Sequence, residues 1–398
     1  ESLTKPETIA FLRSVGISFV AVDEAHCISE WGHDFRPEYR RIKPIIKDIA
    51  DVPIMALTAT ATPKVQLDIQ KNLNMVDALV LKSSFNRDNL FYEVRPKKDA
   101  LKQIVRHSLQ NVGKSGIVYC LSRKRVEQIA ETLRVNGVKA LPYHAGMDSN
   151  TRSRIQDEFL MQDVDVIVAT IAFGMGIDKP DVRFVMHYDM PKSLESYYQE
   201  TGRAGRDGGE GRCIAFYSHK DIDKLEKFLQ GKPIAEQEVG MQLLQEVMAY
   251  AETSNSRRKF LLHYFGEEFD EVNGPGAQNC DNSLNPPVLE DRQEEAHLVL
   301  SAVLEHKNKH RMGFYTSLLT ANKNRQMEDY GAVDSAFWGR GAEEDVDHWQ
   351  GIVRQLVVLN YLRKEVETYG VLHLTDKGMD FVGNPSPLML AKQRDYSD

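Results

Sequence analysis

Two adjacent carboxylates at the end of a short apolar run are the residues of this chain best suited to phosphate chemistry. Asp23 and Glu24 directly follow the apolar residues 19–22. Such a run predicts a buried parallel strand, and α/β proteins bind ligands at the carboxyl ends of their strands. An aspartate there could hold Mg²⁺ through water, and the neighbouring glutamate could deprotonate the water that attacks a γ-phosphate. The string Asp-Glu-Ala-His also occurs by chance at strand ends and helix caps, so a purely structural interpretation stays open at this point.

An aromatic and charged segment follows the carboxylates directly, over residues 27–39. Its glycine and proline predict a loop rather than a regular helix or strand. Trp31 and Phe35 offer stacking faces and Arg36 offers a phosphate-pairing fork, which are the parts used to bind single-stranded nucleic acid. The alternative is a small satellite core in which the aromatic side chains only pack.

A second constellation of charged residues lies at 199–208, with the sequence Gln-Glu-Thr-Gly-Arg-Ala-Gly-Arg-Asp-Gly. Two guanidinium groups three residues apart, beside glycines that allow a tight turn, could reach a γ-phosphate as it develops charge. We predict Arg206 as this arginine finger, with Arg203 and Gln199 near the phosphate or the attacking water. A solvated charge cluster is the alternative.

Alternating strands and helices must position these residues. Thr62 and Pro63 predict the cap and first turn of a helix that runs to about Leu73. Ser122 predicts the cap of a second helix, which buries Val126, Ile129, Ala130 and Leu133 on one face and ends near Gly137. Apolar runs at 116–120 and 164–169 predict strands. Alternation of this kind predicts an α/β fold with a parallel sheet.

Composition sets looser limits on function. The chain has 398 residues, of which 42% are hydrophobic and 27% charged, with a net charge of −8. This is the composition of globular domains, and no segment is long and apolar enough to span a membrane. Four scattered cysteines, Cys27, Cys120, Cys213 and Cys280, predict no disulfide framework and favour a reducing cytoplasm. The acidic balance does not indicate a nucleic-acid binder, but a local groove could still bind one.

Taken together, these segments resemble RecQ-type DNA helicases of superfamily 2. The Asp-Glu-Ala-His string with its aromatic loop resembles the family's DEAH box and aromatic-rich loop, and residues 56–61, 170–178 and 199–208 resemble motifs III, V and VI. The resemblance implies ATP hydrolysis with Mg²⁺ and 3′ to 5′ movement along single-stranded DNA, with duplex separation in recombination and repair. It also implies a bacterial, nucleoid-associated location.

The resemblance also implies roles for individual residues. His26, Thr58 and Thr60 would couple the carboxylate site to the other lobe. Gly176 and Asp178 would lie at the nucleotide, whereas His144 and Thr170 would contact DNA.

The carboxyl-terminal third resembles the helical hairpin and winged helix that follow the helicase lobes in this family. Family members hold zinc in the hairpin with four cysteines, and the matching positions here are Ser256, Ala277, Cys280 and Ser283. One thiolate cannot complete a structural zinc site, so we expect the zinc to be absent. His263 is expected to be a packed residue, and the hairpin is expected to be held by apolar packing of Phe260, Leu261, Tyr264 and Phe265.

The resemblance to a winged helix rests on three predicted helices and a strand pair, at Leu298–Leu304, Tyr315–Leu319, Trp349–Leu359 and between Tyr361 and Leu374. Winged helices place a recognition helix or a wing on duplex DNA, so we expect duplex contacts in this domain. Residues 290–398 contain 18 acidic and 13 basic residues, so any contact must be a local patch. Lys307, Lys309 and Arg311 are the first candidates and residues 323–325 the second, with a solvated face as the alternative. Tyr369 at the predicted wing tip is a candidate strand-separating wedge.

The sequence predicts two RecA-like lobes, the first of them incomplete. We assign residues 1–84 to the first lobe, 85–228 to the second, 229–288 to the hairpin and 289–398 to the winged helix. No Gly-x-x-x-x-Gly-Lys-[Ser/Thr] phosphate loop is present in the 398 residues. We therefore expect the chain to begin partway through its first lobe and to be inactive alone. An RNA-directed helicase of the same superfamily and a catalytically dead DNA-binding scaffold remain alternatives.

Overall fold

The computed structural model describes residues 3, 5–32, 34–49, 51–170, 173, 178–365 and 371–392. These residues form two compact units. The first unit contains residues 1–93, 101–215 and 256–280, and the second contains residues 94–100, 216–255 and 281–398.

Strands and helices alternate in the part of the chain before residue 218, as the sequence predicts for an α/β fold. Short 3₁₀ turns occupy Ala25–Ile28 and Pro37–Arg41. The regular elements are α1 (Pro6–Ser14), β1 (Val20–Val22), α2 (Ile42–Ile49), β2 (Ile54–Ala56), α3 (Pro63–Leu73), β3 (Leu90–Pro96), α4 (Ala100–Gln110), β4 (Ser115–Tyr119), α5 (Arg123–Val135), β5 (Ala140–Tyr143), α6 (Ser149–Leu160), β6 (Val166–Ala169), β7 (Val182–His187), α7 (Leu194–Thr201) and β8 (Gly211–Tyr217).

Six strands form the main sheet, in the order β3-β8-β7-β4-β6-β5. Strand β4 pairs in parallel with β6 and β7, β5 pairs in parallel with β6, and β7 with β8. Every residue of β4 and β6 is buried. Strands covered on both faces need a continuous apolar sequence, which explains why residues 116–120 and 166–169 do not alternate with polar residues.

Local capping fixes where the helices begin. The Ser122 hydroxyl accepts a hydrogen bond from the Arg125 amide at 3.2 Å, and the predicted apolar face of α5 is buried. The Thr62 side chain caps α3 in the same way, and Pro63 occupies its first turn. A cap of this kind stabilises a helix by about 1 kcal/mol. Both helices predicted from the sequence are therefore confirmed, including their starts.

The first lobe has a much smaller sheet within the described residues. Strands β1 and β2 are three residues long and pair in parallel, with Val20 opposite Ile54. Helices α2 and α3 pack beside them through a cluster of buried side chains: Val22, Ala25, Ile28, Ile46, Ala61, Val65, Ile69 and Leu73. The strand predicted before Asp23 is confirmed as β1.

Helices dominate the part of the chain after residue 218. The elements are α8 (His219–Leu229), α9 (Ile234–Glu252), α10 (Arg257–Tyr264), α11 (Asp281–Leu284), β9 (Leu289–Asp291), α12 (Gln293–Glu305), α13 (Met312–Leu319), α14 (Arg325–Asp329), α15 (Val346–Val358), β10 (Leu362–Glu365), β11 (Val371–Leu374), α16 (Asp376–Gly383) and β12 (Met389–Ala391). None of the helices in the described ranges has the length and apolar character needed to cross a bilayer.

The predicted winged-helix elements are present as α12, α13, α15 and the antiparallel pair β10–β11, with α14, α16 and the pair β9–β12 in addition. Their apolar side chains share one core, centred on Phe314, Leu318, Val353, Leu356 and Leu372. The turn that would carry Tyr369 lies outside the described residues.

One expectation for α10 was wrong. His263 is exposed rather than packed, because it lies on the outer face of α10, and Phe260 and Tyr264 are only partly buried. Leu261 and Phe265 are buried as expected, but the guanidinium side chains of Arg257 and Arg258 are fully buried beside them. Polar anchoring therefore accompanies the apolar packing that the sequence predicted.

Candidate functional site

The two carboxylates lie where β1 ends, as the sequence predicts. Asp23 is exposed, and its Oδ1 accepts a hydrogen bond from the Glu24 amide at 2.8 Å. Glu24 has a left-handed backbone, with φ of 49°, and precedes the 3₁₀ turn Ala25–Ile28. The chain therefore turns sharply at Glu24, directly after the strand.

The electrostatic environment of Glu24 suits a base. Burial and the charges of Asp23 and Asp34 raise the pKa of Glu24, while Arg36 and Arg203 lower it. A carboxylate with a raised pKa is a stronger proton acceptor at neutral pH. Arg203, from the second lobe, makes the smallest of these contributions to the pKa of Glu24.

His26 connects the carboxylate site to the strand end that carries Thr58. Its Nδ1 lies 2.9 Å from the Thr58 hydroxyl and 3.3 Å from Glu24 Oε2. The backbone reinforces this link, because the Ala25 amide donates to the Leu57 carbonyl at 2.9 Å. Burial lowers the pKa of His26 and thus favours the neutral ring, which can both donate and accept. Thr60 is buried nearby, and its amide donates to the Thr58 hydroxyl at 3.4 Å.

The aromatic loop folds back onto this histidine. A Cβ at Gly32 would lie 2.8 Å from the His26 carbonyl oxygen, so the loop requires glycine there. Trp31 is 43% exposed, and Lys64 Nζ of α3 lies 3.0 Å from its ring centroid. This cation–π contact joins the aromatic loop to the helix that begins just after Thr60.

Phe35 and Arg36 lie on the same loop in polar surroundings. Arg36 is exposed and pairs with Asp34 at 2.6 Å, and the Arg40 guanidinium lies 5.1 Å from the Phe35 ring centroid. The loop therefore displays aromatic and guanidinium groups within the same compact unit as the carboxylates. These groups would suit nucleic-acid contact.

Arg203 and Arg206 lie on the irregular loop that follows α7, residues 202–209, which we call the arginine loop. Arg206 is exposed and pairs with Asp178 at 3.1 Å, whereas Arg203 is half-buried. Burial raises the pKa of Tyr119, and a side-chain hydrogen bond with Arg203 together with its charge opposes that rise. Gln199 is half-buried on the last turns of α7.

A buried pair of polar side chains connects α7 to the main sheet. Glu200 Oε2 lies 2.6 Å from His187 Nε2 at the end of β7, and the His187 ring stacks on Tyr119 with 5.3 Å between centroids. The helix that precedes the arginine loop is thereby fixed to two central strands of the sheet.

The remaining second-lobe candidates are less accessible. His144 is buried, with its Nε2 2.9 Å from Glu127 and its Nδ1 accepting from the Gly146 amide at 3.2 Å. Both ring nitrogens are engaged, so DNA contact by His144 would require one of these bonds to break. Thr170 is half-buried at the end of β6. Gly176 lies outside the described residues, as does Tyr369.

In the second unit, Lys307, Lys309 and Arg311 are exposed together on the turn between α12 and α13. Lys323 and Arg325 pair with Glu328 and Asp329, at 2.9 Å and 3.7 Å. Those two acids offset part of the charge of the second candidate patch.

The residues at the four family zinc positions do not fit zinc. Cys280 Sγ lies 3.9 Å from the Ser256 hydroxyl, and Ala277, buried on the same hairpin, has no donor atom. Ser256 instead caps α10 by accepting from the Lys259 amide. Within the described part of the chain, no group of three His, Cys, Asp or Glu side chains could hold a metal ion.

Sequence reasoning missed two residues of this site. Lys64 had no signal, because its contact with Trp31 bridges two elements that are distant in sequence. Arg87 is the second, and its guanidinium donates to the Gly202 and Ala204 carbonyls of the arginine loop. The only local hint was its place in the polar string Asn-Arg-Asp-Asn before an apolar strand.

Four families match consecutive parts of the chain. The DEAD/DEAH box helicase family matches residues 3–69, the helicase conserved C-terminal domain 96–208, the RecQ zinc-binding family 219–284 and the RQC domain 286–398. The lobes, the hairpin and the last domain thus each match a helicase or RecQ family separately.

Curated relatives match almost the whole chain. ATP-dependent DNA helicase RecQ of Pasteurella multocida is 41% identical over 95% of this chain and 60% of its own length. RecQ of Bacillus subtilis is 36% identical over 95% of this chain and 64% of its length. Among solved structures, S. cerevisiae Dbp5 bound to RNA and ADP BeF3 has a TM-score of 0.45 and 20% identity, covering 60% of this chain and 68% of that one. The chain spans about 60% of the length of the first curated relative, and it belongs to the RecQ family of helicases.

Proposed function

We propose that this chain forms part of an ATP-dependent DNA helicase, in which ATP hydrolysis drives 3′ to 5′ movement along single-stranded DNA. The observation that carries the proposal is the carboxylate of Glu24 at the end of β1, which lies 3.3 Å from His26, whose ring also contacts Thr58. The loop that carries Arg203 and Arg206 belongs to the same compact unit. In a phosphoryl transfer, a carboxylate of this kind can act on the attacking water while arginines act on the transferring phosphate.

In this proposal Glu24 accepts the proton of the attacking water, and His26 orients the carboxylate. Arg206 and Arg203 stabilise the charge that develops on the γ-phosphate, and Gln199 orients the water. The exposed carboxylate of Asp23 would hold Mg²⁺ through water. That ion, when bound with ATP, neutralises phosphate charge. Asp178 would lie near the nucleotide sugar, and Gly176 would lie at the nucleotide, where a backbone amide can approach a phosphate.

DNA would contact the aromatic loop through Trp31, Phe35 and Arg36, and the second lobe through Thr170 and His144. Because the aromatic loop follows Glu24 directly, a base stacked on Trp31 can bias the carboxylate through His26 and the Thr58 and Thr60 strand end. Lys307, Lys309 and Arg311 would bind duplex phosphates, with Tyr369 as a strand-separating wedge.

The domain division that we propose is the one predicted from the sequence: lobes at 1–84 and 85–228, a hairpin at 229–288 and a winged helix at 289–398. The relatives' names support a role in DNA metabolism. We propose recombination and repair, including the SOS response, on nucleoid DNA in a bacterial cytoplasm.

The 398 residues contain no phosphate loop, so we expect this chain alone neither to bind ATP tightly nor to unwind DNA. The test uses a loop-restored chain, made by joining this chain to the phosphate-loop segment of a RecQ relative. We expect its ATPase to be stimulated by single-stranded DNA and much less by RNA. Stronger stimulation by RNA would favour an RNA helicase, and absence of any ATPase would favour the DNA-binding scaffold.

We further propose that the hairpin folds without zinc, because Ser256, Ala277 and Ser283 replace thiolates. Metal analysis of the dialysed chain should find well under one zinc per molecule. One zinc per chain would contradict this and would point to a ligand set that uses His263 with Cys280.

A further inference from the structure

A short segment before β3 contacts the loop that carries Arg203 and Arg206. The Arg87 guanidinium donates to the Gly202 carbonyl at 3.1 Å and to the Ala204 and Gly205 carbonyls at 2.9 Å each. The Asn89 side-chain amide donates to the Gly205 and Gly209 carbonyls at 2.8 and 2.7 Å. Two side chains thus bind carbonyl groups on both sides of each finger candidate.

The loop depends on such contacts because it has little regular structure of its own. Helix α7 ends at Thr201, and both Gly205 and Gly208 have positive φ, at 56° and 82°. Backbone carbonyl groups that are not paired within a helix or a sheet need hydrogen-bond donors from other parts of the chain. Arginine offers five donors in a rigid plane, so it can serve several carbonyls at once and fix their relative positions.

The backbone of Arg87 is held by a hydrogen bond from Arg258 of the hairpin. Arg258 of α10 is 1% exposed, and its Nη1 donates to the Arg87 carbonyl at 2.7 Å and to Asn86 Oδ1 at 2.8 Å. Its Nη2 donates to the Leu90 carbonyl at 2.6 Å, and its Nε to the Gly276 carbonyl at 2.9 Å. Every nitrogen of this guanidinium therefore has an acceptor.

The contacts form a continuous path within one compact unit. Arg258 ties the hairpin to the segment 86–90, and Arg87 and Asn89 tie that segment to the arginine loop. Asn279 strengthens the first link by donating to the Asp88 carbonyl at 2.7 Å. Such a path can hold a loop in a catalytic geometry without touching the substrate.

We propose that Arg87 and Asn89 are positioning residues for Arg203 and Arg206, and that Arg258 makes the hairpin part of the same support. The role in ATP hydrolysis rests on the function proposed above. Weakening the path should displace the fingers while ATP and DNA binding persist, because neither ligand's proposed contacts include Arg87 or Asn89.

The first test measures kinetics in the loop-restored chain with Arg87→Lys, Arg87→Ala and Asn89→Asp. We expect Arg87→Ala to lower DNA-stimulated kcat by roughly tenfold or more, with the KM for ATP and the Kd for single-stranded DNA within about threefold. Lysine keeps the charge but lacks the fork, so Arg87→Lys should recover only part of kcat. Arg212→Ala is the matched control, because that exposed residue of β8 lies over the Phe91 ring, 4.6 Å from its centroid, rather than on the loop.

The second test measures amide hydrogen exchange in the 398-residue chain, which needs no ATPase activity. Arg87→Ala and Arg258→Lys should speed exchange over residues 202–209 by about tenfold, with β4 and β6 unchanged. Unchanged exchange in the loop, or equal acceleration in β4 and β6, would overturn the proposal. Loss of ATP affinity as large as the loss of kcat would also overturn it. If the unsubstituted loop-restored chain has no ATPase, the proposed function fails, and the exchange experiment alone decides whether Arg87 positions the loop.

Discussion

The first and second lobes hold their candidate catalytic groups in different ways. In the first lobe, Asp23 and Glu24 follow a strand of three residues that has one partner strand among the described residues. In the second lobe, the arginine loop follows a helix that is fixed to a sheet of six strands. Apolar side chains are correspondingly exposed on the first lobe, including Phe19, Met55 and Leu57, whereas β4 and β6 are completely buried.

The comparison shows that candidate catalytic side chains can be held in position without a large sheet next to them. The Glu24 carboxylate lies 3.3 Å from His26, and the His26 ring also contacts the Thr58 hydroxyl. The next residue, Ala25, donates its amide to the Leu57 carbonyl. The arginine loop has an extensive sheet nearby, yet its own carbonyls are held by side chains from outside it. In both lobes, the immediate support consists of hydrogen bonds between elements that are distant in sequence.

The largest expected difference between the lobes is in amide exchange. In the 398-residue chain, amides of β1 and β2 should exchange about 10³-fold faster than those of β4 and β6, because short strands with exposed apolar neighbours open locally. Exchange mass spectrometry with peptide resolution measures this. Equal protection in the two lobes would show that the first lobe is stabilised by contacts other than those described here.

Many of the features compared above were predictable from the sequence, and there are physical reasons why the others were not. Val22 before Asp23, the Thr62 cap and the apolar face of α5 follow from local periodicity and capping, and the structure confirms them. The Lys64 contact with Trp31 and the Arg87 contact with the arginine loop depend on tertiary packing, and no local pattern encodes them. His263 was misplaced because an apolar neighbourhood in sequence does not specify which helix face is buried.

Removal of the finger candidate should have the next largest effect. Arg206→Ala in the loop-restored chain should lower DNA-stimulated ATP hydrolysis by about 10², because this guanidinium acts on the transferring phosphoryl group. DNA affinity should remain unchanged. Arg134→Ala removes an exposed arginine of α5 and serves as the control. A matching loss of DNA affinity would place Arg206 on the nucleic acid instead.

Removal of the exposed aromatic face should separate DNA sensing from chemistry. Trp31→Ala should leave basal ATPase intact while reducing stimulation by single-stranded DNA roughly tenfold, since stacked bases would lose their platform. Phe228→Ala, at an exposed position on α8, is the matched control. Full stimulation in Trp31→Ala would mean that the tryptophan only packs against Lys64.

The central claim is that a carboxylate of the first lobe and arginines of the second act on the same phosphate. Glu24→Gln in the loop-restored chain tests it most directly, because glutamine keeps the shape but cannot accept the proton from water. ATP binding, measured by nucleotide fluorescence, should be retained while hydrolysis falls by about 10² or more. Glu7→Gln on α1, where the side chain is exposed, should have no effect. Hydrolysis by Glu24→Gln within about tenfold of the parent would contradict the account and remove Glu24 from the role of base.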